Sequence, residues 1–190
     1  MPGSGSAGAA RMTAVYVAAG SNVEPEKYLS VALRALAAAY GPLTLSPAYR
    51  NQAVGFSGDD FINLVVGFHT EDSPAEVRRQ LQKIEAACDR PPGAAKWAPR
   101  TMDLDILLFG DLVSNEPGLV IPRPDLLKRP YMLKPMADIA PDVQHPTLGR
   151  TMRELWQSFE GGEHSMVEVL LDGEPTSPHS DPRRPPESAQ

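Results

Sequence analysis

Several segments of the chain have the apolar pattern of β-strands. In some of them apolar and polar residues alternate, and in others apolar residues run without interruption. A period of two, or a short apolar run between turn residues, is typical of strands. The predicted strands span residues 13–19, 43–49, 61–69, 102–110 and 166–171. A small hairpin is predicted over 111–121, around the turn sequence N-E-P-G.

Other segments have a helical period instead. In the first of them Leu29, Leu33, Leu36 and Tyr40 recur at helical spacing. In the second, Ser73 supplies a cap in front of an apolar stripe. The predicted helices span residues 25–40, 73–90, 131–140 and 151–159.

The order of these elements predicts the fold class. Strand, helix, strand, strand, helix, strand is the ferredoxin-like pattern. We therefore predict an α+β fold, a ferredoxin-like antiparallel sheet with packed helices in a three-layer α/β/α arrangement. The domain is expected to cover residues 13–172. Residues 1–12 are rich in Gly, Ala and Ser, and residues 173–190 are rich in proline, so both are expected to be disordered extensions.

Charge and cysteine content narrow the class of protein. The 190 residues carry a formal net charge of -6, which argues against a nucleic-acid or anionic-membrane partner. The single cysteine, Cys88, excludes an internal disulfide and fits a reducing compartment. No stretch approaches the roughly 18 apolar residues of a membrane span, and the N-terminus lacks a signal-peptide pattern. We expect a cytoplasmic monomer.

Candidate chemistry is concentrated in one predicted strand. Asp103 and Asp105 alternate with apolar residues, so both carboxylates point to one face, roughly 6–7 Å apart. Oxygen ligands of this kind suit Mg²⁺, which usually keeps several waters and also binds substrate phosphates. Nearby, Arg100 can bind a phosphate through two N–H groups, and Trp97 offers a flat face to a planar ring. The alternative interpretation of the acidic pair is the solvated face of an ordinary edge strand.

The sequence around this pair, K-W-A-P-R-T-M-D-L-D-I-L-L-F-G, resembles the signature of the 6-hydroxymethyl-7,8-dihydropterin pyrophosphokinases, whose members typically read R-W-G-P-R-T-L-D-L-D-I. The segments V-Y-V-A-A-G-S-N, Y-R-N-Q-A-V-G, F-I-N-L-V-V and R-P-Y-M-L-K-P-M-A-D-I-A-P also fall in the family's order. The similarity covers residues 13–157. It implies transfer of the terminal pyrophosphate of ATP to the hydroxymethyl oxygen of the pterin, with release of AMP, in tetrahydrofolate biosynthesis.

The resemblance also implies roles for individual side chains. Asp103 and Asp105 would hold two Mg²⁺ ions, and Tyr131 would stack on the pterin opposite Phe61. The implied catalytic residues are Trp97, Arg100, Asp103 and Asp105. The implied ATP-binding residues are Gln82, Glu85, Arg90, Lys96, Arg100, Ile106, Arg123 and Arg129. The implied pterin-binding residues are Asn51, Val54, Phe61, Asn63, Trp97 and Tyr131.

Several positions depart from the family's usual residues. Pro92 stands where a second loop arginine is expected, and Lys96 replaces the arginine before the tryptophan. Arg123 replaces a histidine, Tyr131 a phenylalanine and Asn51 a common threonine. The metal pair and the neighbouring arginine are kept, which favours an active enzyme.

Two alternative functions and one further candidate site follow from the same residues. The missing loop arginine would suit a catalytically weakened paralogue that binds nucleotide or pterin as a regulator. A ferredoxin-like RNA-binding module would need aromatic residues displayed on a basic sheet, which the acidic total disfavours. Finally, Arg123, Lys128 and Arg129 could clamp a triphosphate, although a solvated loop would have the same composition.

Overall fold

The computed structural model describes residues 11–51, 59–88, 102–161 and 166–171. The strands are β1 (Thr13–Ser21), β2 (Thr44–Leu45), β3 (Ala48–Asn51), β4 (Phe61–Thr70), β5 (Asp103–Phe109), β6 (Ser114–Glu116), β7 (Leu119–Ile121) and β8 (Val167–Val169). The helices are α1 (Pro25–Tyr40), α2 (Pro74–Ala87), α3 (Pro130–Ile139) and α4 (Met152–Gln157), and a 3₁₀ turn spans Pro124–Leu127. Within these ranges, no helix has both the length and the apolar content that a membrane crossing requires.

The central sheet has the predicted ferredoxin-like order. Its strands lie side by side as β5-β1-β4-β3-β8, with β2 also paired to β4, and the pairings are antiparallel. β2 and β3 together take the place of the second strand of the β-α-β-β-α-β pattern. β6 and β7 form a separate hairpin. β5, which carries the acidic pair, therefore lies at an edge of the sheet.

Two apolar cores, one on each face of the sheet, confirm the three layers. On one face, Leu29 and Leu36 of α1 and Leu81 of α2 are buried against sheet residues such as Leu64. On the other face, Met136 of α3 and residues of α4 pack against a second set of sheet side chains. Each face is covered because the strands are apolar on both sides over most of their length.

The second predicted strand is divided into two strands in the structure. A single strand was expected over 43–49, but β2 ends at Leu45 and β3 begins at Ala48. Pro47 has no N–H to donate to a ladder, which disfavours a continuous strand. Ser46 bridges the break, because its hydroxyl accepts a hydrogen bond from the Val65 N–H at 2.8 Å while its own N–H bonds to the Val65 carbonyl at 3.0 Å.

Element ends differ from the predictions by a few residues. α2 ends at Ala87, and buried Cys88 follows as its C-cap. Its N-terminus is fixed as expected by Ser73, which forms a reciprocal capping box with Glu76. Asn51, expected in a loop over 50–60, closes β3 instead. α3 includes the proline at 135, as predicted.

Candidate active site

The two carboxylates of β5 lie on the face of the sheet that α3 and α4 cover. Asp103 pairs with Gly20 of β1, and Asp105 pairs with Ala18, whose side chain belongs to the α3/α4 core. The alternate residues Leu104 and Ile106 point into the opposite core. Both aspartates are half-buried. The alternation read from the sequence is therefore confirmed, and it directs both carboxylates to one side of an edge strand.

A bulge in β5 brings a cation to this pair. Ile106 pairs with Val17 and Leu108 with Tyr16, which leaves Leu107 as an extra residue. A bulge of this kind frees backbone groups from the ladder and redirects the chain. The carbonyl of Leu107 accepts a hydrogen bond from the N–H of Arg123 at 2.9 Å. The segment after β7 is thereby fixed against β5.

The guanidinium of Arg123 lies between two carboxylates. Its Nη1 is 3.1 Å from Oδ1 of Asp105, and its Nε is 3.4 Å from Oδ2 of Asp125. The Nε atom is buried and makes no hydrogen bond within the part of the chain that the structure describes. Arg123 therefore offsets the charge of both Asp105 and Asp125.

Tyr131 extends this charged cluster to the start of α3. Burial raises the pKa of its hydroxyl above the usual range; Arg129 and Arg123 oppose that shift, while Asp125 and Asp103 add to it. All four charged side chains therefore lie close enough to Tyr131 to affect the pKa of its hydroxyl. The hydroxyl is neutral at physiological pH, so Tyr131 offers an aromatic face and a neutral donor beside the acidic pair.

Three of the predicted pterin-binding residues lie on the same face, on β4 and β3, which are two and three strands from β5. Asn63 of β4 pairs with Gly20 of β1, and Phe61 pairs with Asn51 of β3. The Asn63 amide donates a hydrogen bond from Nδ2 to Oδ1 of Asn51. A Cβ atom on Gly20 would lie only 2.5 Å from Oδ1 of Asn63. The absence of a side chain at Gly20 therefore lets the Asn63 amide lie across β1, towards Asp103.

A cleft of about 510 Å³ runs along the edge strand. Asp103, Asp105 and Arg123 line one part of it, and Gln82 and Glu85 of α2 line another. Its apolar lining comes from β5, α2 and the β6–β7 hairpin and comprises Leu81, Leu104, Ile106, Leu119, Val120 and Ile121. The cleft thus combines charged side chains with an apolar part contributed by β5, α2 and the hairpin.

Glu85 is held by the edge strand itself. Its Oε1 accepts a hydrogen bond from the N–H of Leu104 at 2.8 Å. Gln82, three residues earlier, is exposed on the same side of α2. Two side chains that the sequence alone presents as a solvated helical face therefore belong to the wall of the cleft.

The remaining predicted residues lie either away from the cleft or outside the part of the chain that the structure describes. Arg129 is half-buried beside Tyr131 but does not line the cleft. Lys128 lines a different cavity, on the α3/α4 side. Val54, Arg90, Pro92, Lys96, Trp97 and Arg100 lie outside the described residues.

The structure adds residues that the sequence analysis did not select. Arg78 of α2, Gly118 of the hairpin and Asp125 of the 3₁₀ turn all line the cleft. Arg78 lies four residues before Gln82, one helical turn, which is the only signal in the sequence that could have indicated it. Asp125 could not have been selected, because its place depends on how the chain turns after β7.

A family model for 7,8-dihydro-6-hydroxymethylpterin-pyrophosphokinase matches residues 16–141, which include every element that builds this cleft. The chain belongs to this pyrophosphokinase family. The resemblance inferred from the short motifs is thereby confirmed.

Curated pyrophosphokinases of the family match much of the chain. The 2-amino-4-hydroxy-6-hydroxymethyldihydropteridine pyrophosphokinase of Pseudomonas aeruginosa is 37% identical over 155 residues, 78% of this chain and 94% of that protein. The Haemophilus influenzae enzyme of the same name is 32% identical over 162 residues, 83% of this chain and 99% of that protein. The Synechocystis protein is 38% identical over 112 residues, and that match spans 57% of its length.

Solved structures share the fold of this chain. The wild-type HPPK-DHPS of Plasmodium falciparum superposes with a TM-score of 0.59 at 15% identity, over 77% of this chain and 41% of that chain. An HPPK-DHPS in complex with substrates gives 0.60 at 14% identity, over 78% of this chain and 44% of that one. The chain thus spans less than half of these proteins, and the likeness shows a common fold.

The carboxylates present fit a magnesium ion that is bound by both the protein and the substrate. Asp103 and Asp105 supply oxygen atoms on one face, and no cluster of three or more acidic, histidine or cysteine side chains that could hold a metal occurs among residues 11–51, 59–88, 102–161 and 166–171. A site with only two carboxylates suits Mg²⁺, which keeps waters and takes substrate phosphates as its other ligands.

Proposed function

We propose that this chain transfers diphosphate from ATP to 6-hydroxymethyl-7,8-dihydropterin. The hydroxymethyl oxygen bonds to the β-phosphorus, the bond from that phosphorus to the α–β bridging oxygen breaks, AMP departs and the hydroxyl proton is lost. Family membership supports this reaction. One arrangement in the sheet carries the proposal further: Asp103 of β5 and Asn63 of β4 flank Gly20 on a single face, so acidic and amide side chains face one space.

The pterin half of the site has the chemistry that the heterocycle requires. A pterin edge carries amide and amino groups, which would be costly to bury without partners. Asn51 and Asn63 present paired amides, and Asn51 is only 6% exposed. Phe61 and Tyr131 supply aromatic faces for the ring. The Asn51–Asn63 hydrogen bond holds both amides in place before the substrate arrives, which lowers the ordering cost of binding.

The nucleotide half of the site is the cleft along β5. Its apolar part, between α2 and the hairpin, suits a base, and Gln82 and Glu85 would bind the nucleoside there. Asp103 and Asp105 would hold two Mg²⁺ ions, which when bound supply neutralisation of phosphate charge and orientation of the transferred group. Arg123 would move its donors from Asp105 to phosphate oxygens, since a guanidinium binds either partner in the same geometry.

Catalysis would come mainly from positioning. Diphosphate transfer needs the acceptor oxygen, the phosphorus and the leaving oxygen held roughly in line, with the negative charge offset. Arg100 and Trp97, which precede β5 in sequence, complete the set of catalytic residues that we propose, together with the two aspartates. Val54, Arg90 and Lys96 complete the proposed substrate-binding residues, with Ile106 under the base and Arg129 near the phosphates.

The decisive experiment measures AMP release from ATP and Mg²⁺, with and without 6-hydroxymethyl-7,8-dihydropterin. AMP that appears only with the pterin would support the proposal and show that Arg123 and Pro92 are tolerated. Binding of both substrates without AMP formation would contradict it and favour a regulatory paralogue.

We also propose that the protein acts as a monomer in the cytoplasm. Cys88 is the only cysteine of the chain and is buried, which suits a reducing compartment. A sedimentation mass of twice the chain's 20.5 kDa would contradict the monomer.

A further inference from the structure

Arg78 is a cation of the cleft wall that nothing in the proposed reaction yet uses. It lies on α2, one turn before Gln82 and two turns before Glu85, on the side of the helix that lines the cleft. The residue is exposed, so it does not serve the apolar core. Among the described residues, Arg78 makes no hydrogen bond or ion pair. Its donors are therefore available to a ligand.

The guanidinium of Arg78 lies against the hairpin at Gly118. A Cβ atom built on Gly118 would lie 2.8 Å from Nη2 and 3.0 Å from both Cζ and Nη1. Three nearly equal distances mean that the flat face of the guanidinium covers Gly118, with its N–H groups directed sideways. Gly118 also has a φ of +77°, which other residues rarely adopt. Glycine is therefore required there both for the turn and for the close approach of Arg78.

The position of Arg78 indicates which part of a nucleotide it can reach. The acidic pair and Arg123 mark the phosphate end of the cleft. Arg78 lies against the hairpin at Gly118 and lines the cleft together with Leu81, Leu119 and Val120. A guanidinium beside an apolar wall is suited to the face of a base or to its ring nitrogens and the ribose oxygens, since it can stack and donate together.

We propose that Arg78 binds the nucleoside part of ATP and contributes to affinity independently of the phosphates and the metal. This inference rests on the proposed function, because it assigns the apolar part of the same cleft to the nucleoside. Arg78 would act in substrate binding rather than in the transfer step. Its loss should raise the KM for ATP while leaving kcat and the KM for the pterin unchanged.

The test compares Arg78→Ala with Arg79→Ala. Arg79 is the adjacent exposed arginine on α2 and does not line the cleft, so both variants lose one positive charge from one helix. Calorimetric titration of AMP, adenosine and ATP requires no turnover. We expect Arg78→Ala to weaken all three by a similar factor of about ten, the loss typical of a hydrogen bond to a charged group. Arg79→Ala should change them by no more than about twofold.

A second variant displaces the Arg78 guanidinium without removing its charge. Gly118→Ala keeps Arg78 but places a methyl group where its guanidinium lies, so the same uniform loss of AMP and ATP affinity is expected. Thermal unfolding of each variant shows whether the domain remains intact.

Two results would contradict this inference and leave the proposed function intact. One is AMP binding by Arg78→Ala that equals that of Arg79→Ala, in a protein that still releases AMP normally. The other is a loss confined to ATP, with AMP and adenosine unaffected, which would place Arg78 at the phosphates. Failure of the unaltered protein to bind any nucleotide would overturn the proposed function together with this inference.

Discussion

The two faces of the central sheet differ most sharply where β4, β1 and β5 carry Asn63, Gly20 and Asp103. On the α1/α2 face, the adjacent residues Leu64 and Leu104 are 0% and 5% exposed within one apolar core. On the α3/α4 face the same stretch of sheet carries an amide, a bare backbone and a carboxylate. A shift of one residue along these strands therefore exchanges apolar core side chains for polar side chains of the site, because successive side chains point to opposite faces.

The sharpest test of this separation is Asp105→Ala on the chemical face. We expect turnover to fall by about a thousandfold, the scale seen when a charge-stabilising group is removed from a transition state. The melting temperature should change little, since the ion pair with Arg123 is partly exposed and such pairs contribute at most about 1 kcal/mol. Steady-state AMP release and thermal unfolding measure the two effects. Near-normal turnover would contradict the role given to Asp105.

Leu64→Ala on the opposite face should have the reverse profile. Removal of a fully buried leucine side chain lowers the free energy of unfolding by about 2–5 kcal/mol. Activity per folded molecule should stay close to that of the parent, because Leu64 points away from the site. Urea unfolding, combined with kcat measured well below the melting temperature, tests both halves. A large loss of kcat in fully folded protein would show that the faces are not independent.

Asn63→Ala, one residue away, should affect pterin binding more than stability. The pterin edge loses a partner, so the KM for the pterin should rise by about tenfold or more. Asn51 also loses its donor, which should lower the free energy of unfolding by about 1 kcal/mol. Measurement of KM for each substrate separates the effects. An increase in the KM for ATP alone would contradict the placement of the pterin at Asn63.

Arg123→Gln tests the electrostatics of the chemical face without turnover. The guanidinium now beside Asp105 competes with any cation for that carboxylate. Its removal should strengthen the binding of Mn²⁺, used as a probe for Mg²⁺, by several-fold, since a partly exposed ion pair contributes about 1 kcal/mol or less. Paramagnetic resonance of free Mn²⁺ measures this. Lys128→Gln is the matched control, because it removes one positive charge beside the other cavity. An equal change in Mn²⁺ affinity in both variants would show that net charge, and not the contact with Asp105, causes the effect.

The smallest effect is expected from Tyr131→Phe. Because the pKa of Tyr131 is raised above its usual value, the hydroxyl stays protonated at every pH below about 10. The pH profile of kcat between 6 and 9 should therefore keep its shape, with a change of no more than about twofold to threefold if the ring mainly stacks. A pKa that disappears from the profile in this variant would show that the hydroxyl titrates during the reaction.

The sequence alone predicted the architecture and the common face of the two aspartates because both depend on short-range periodicity. The period of two placed Asp103 and Asp105 on one face. The helical period identified the buried stripe of α2, and the family-like motifs indicated Asn63 and Glu85. Each of these features depends on residues that lie close together in the sequence.

Other features depend on contacts between distant segments and could not be predicted. The bulge at Leu107 and its bond to Arg123 join residues 16 positions apart, and no local pattern marks them. The break between β2 and β3 depends on how Ser46 bonds to β4. Arg78 looks like any exposed helical arginine until the hairpin folds against it.

Glu85 has a consequence for solubility. β5 lies at the edge of the sheet, and an open edge with apolar residues such as Leu104 and Ile106 is a template for pairing with another molecule. The Glu85 carboxylate occupies the N–H of Leu104 and places negative charge where an incoming strand would need to bond. A residue of the cleft wall thus also blocks one of the backbone donors with which another strand would pair at the β5 edge.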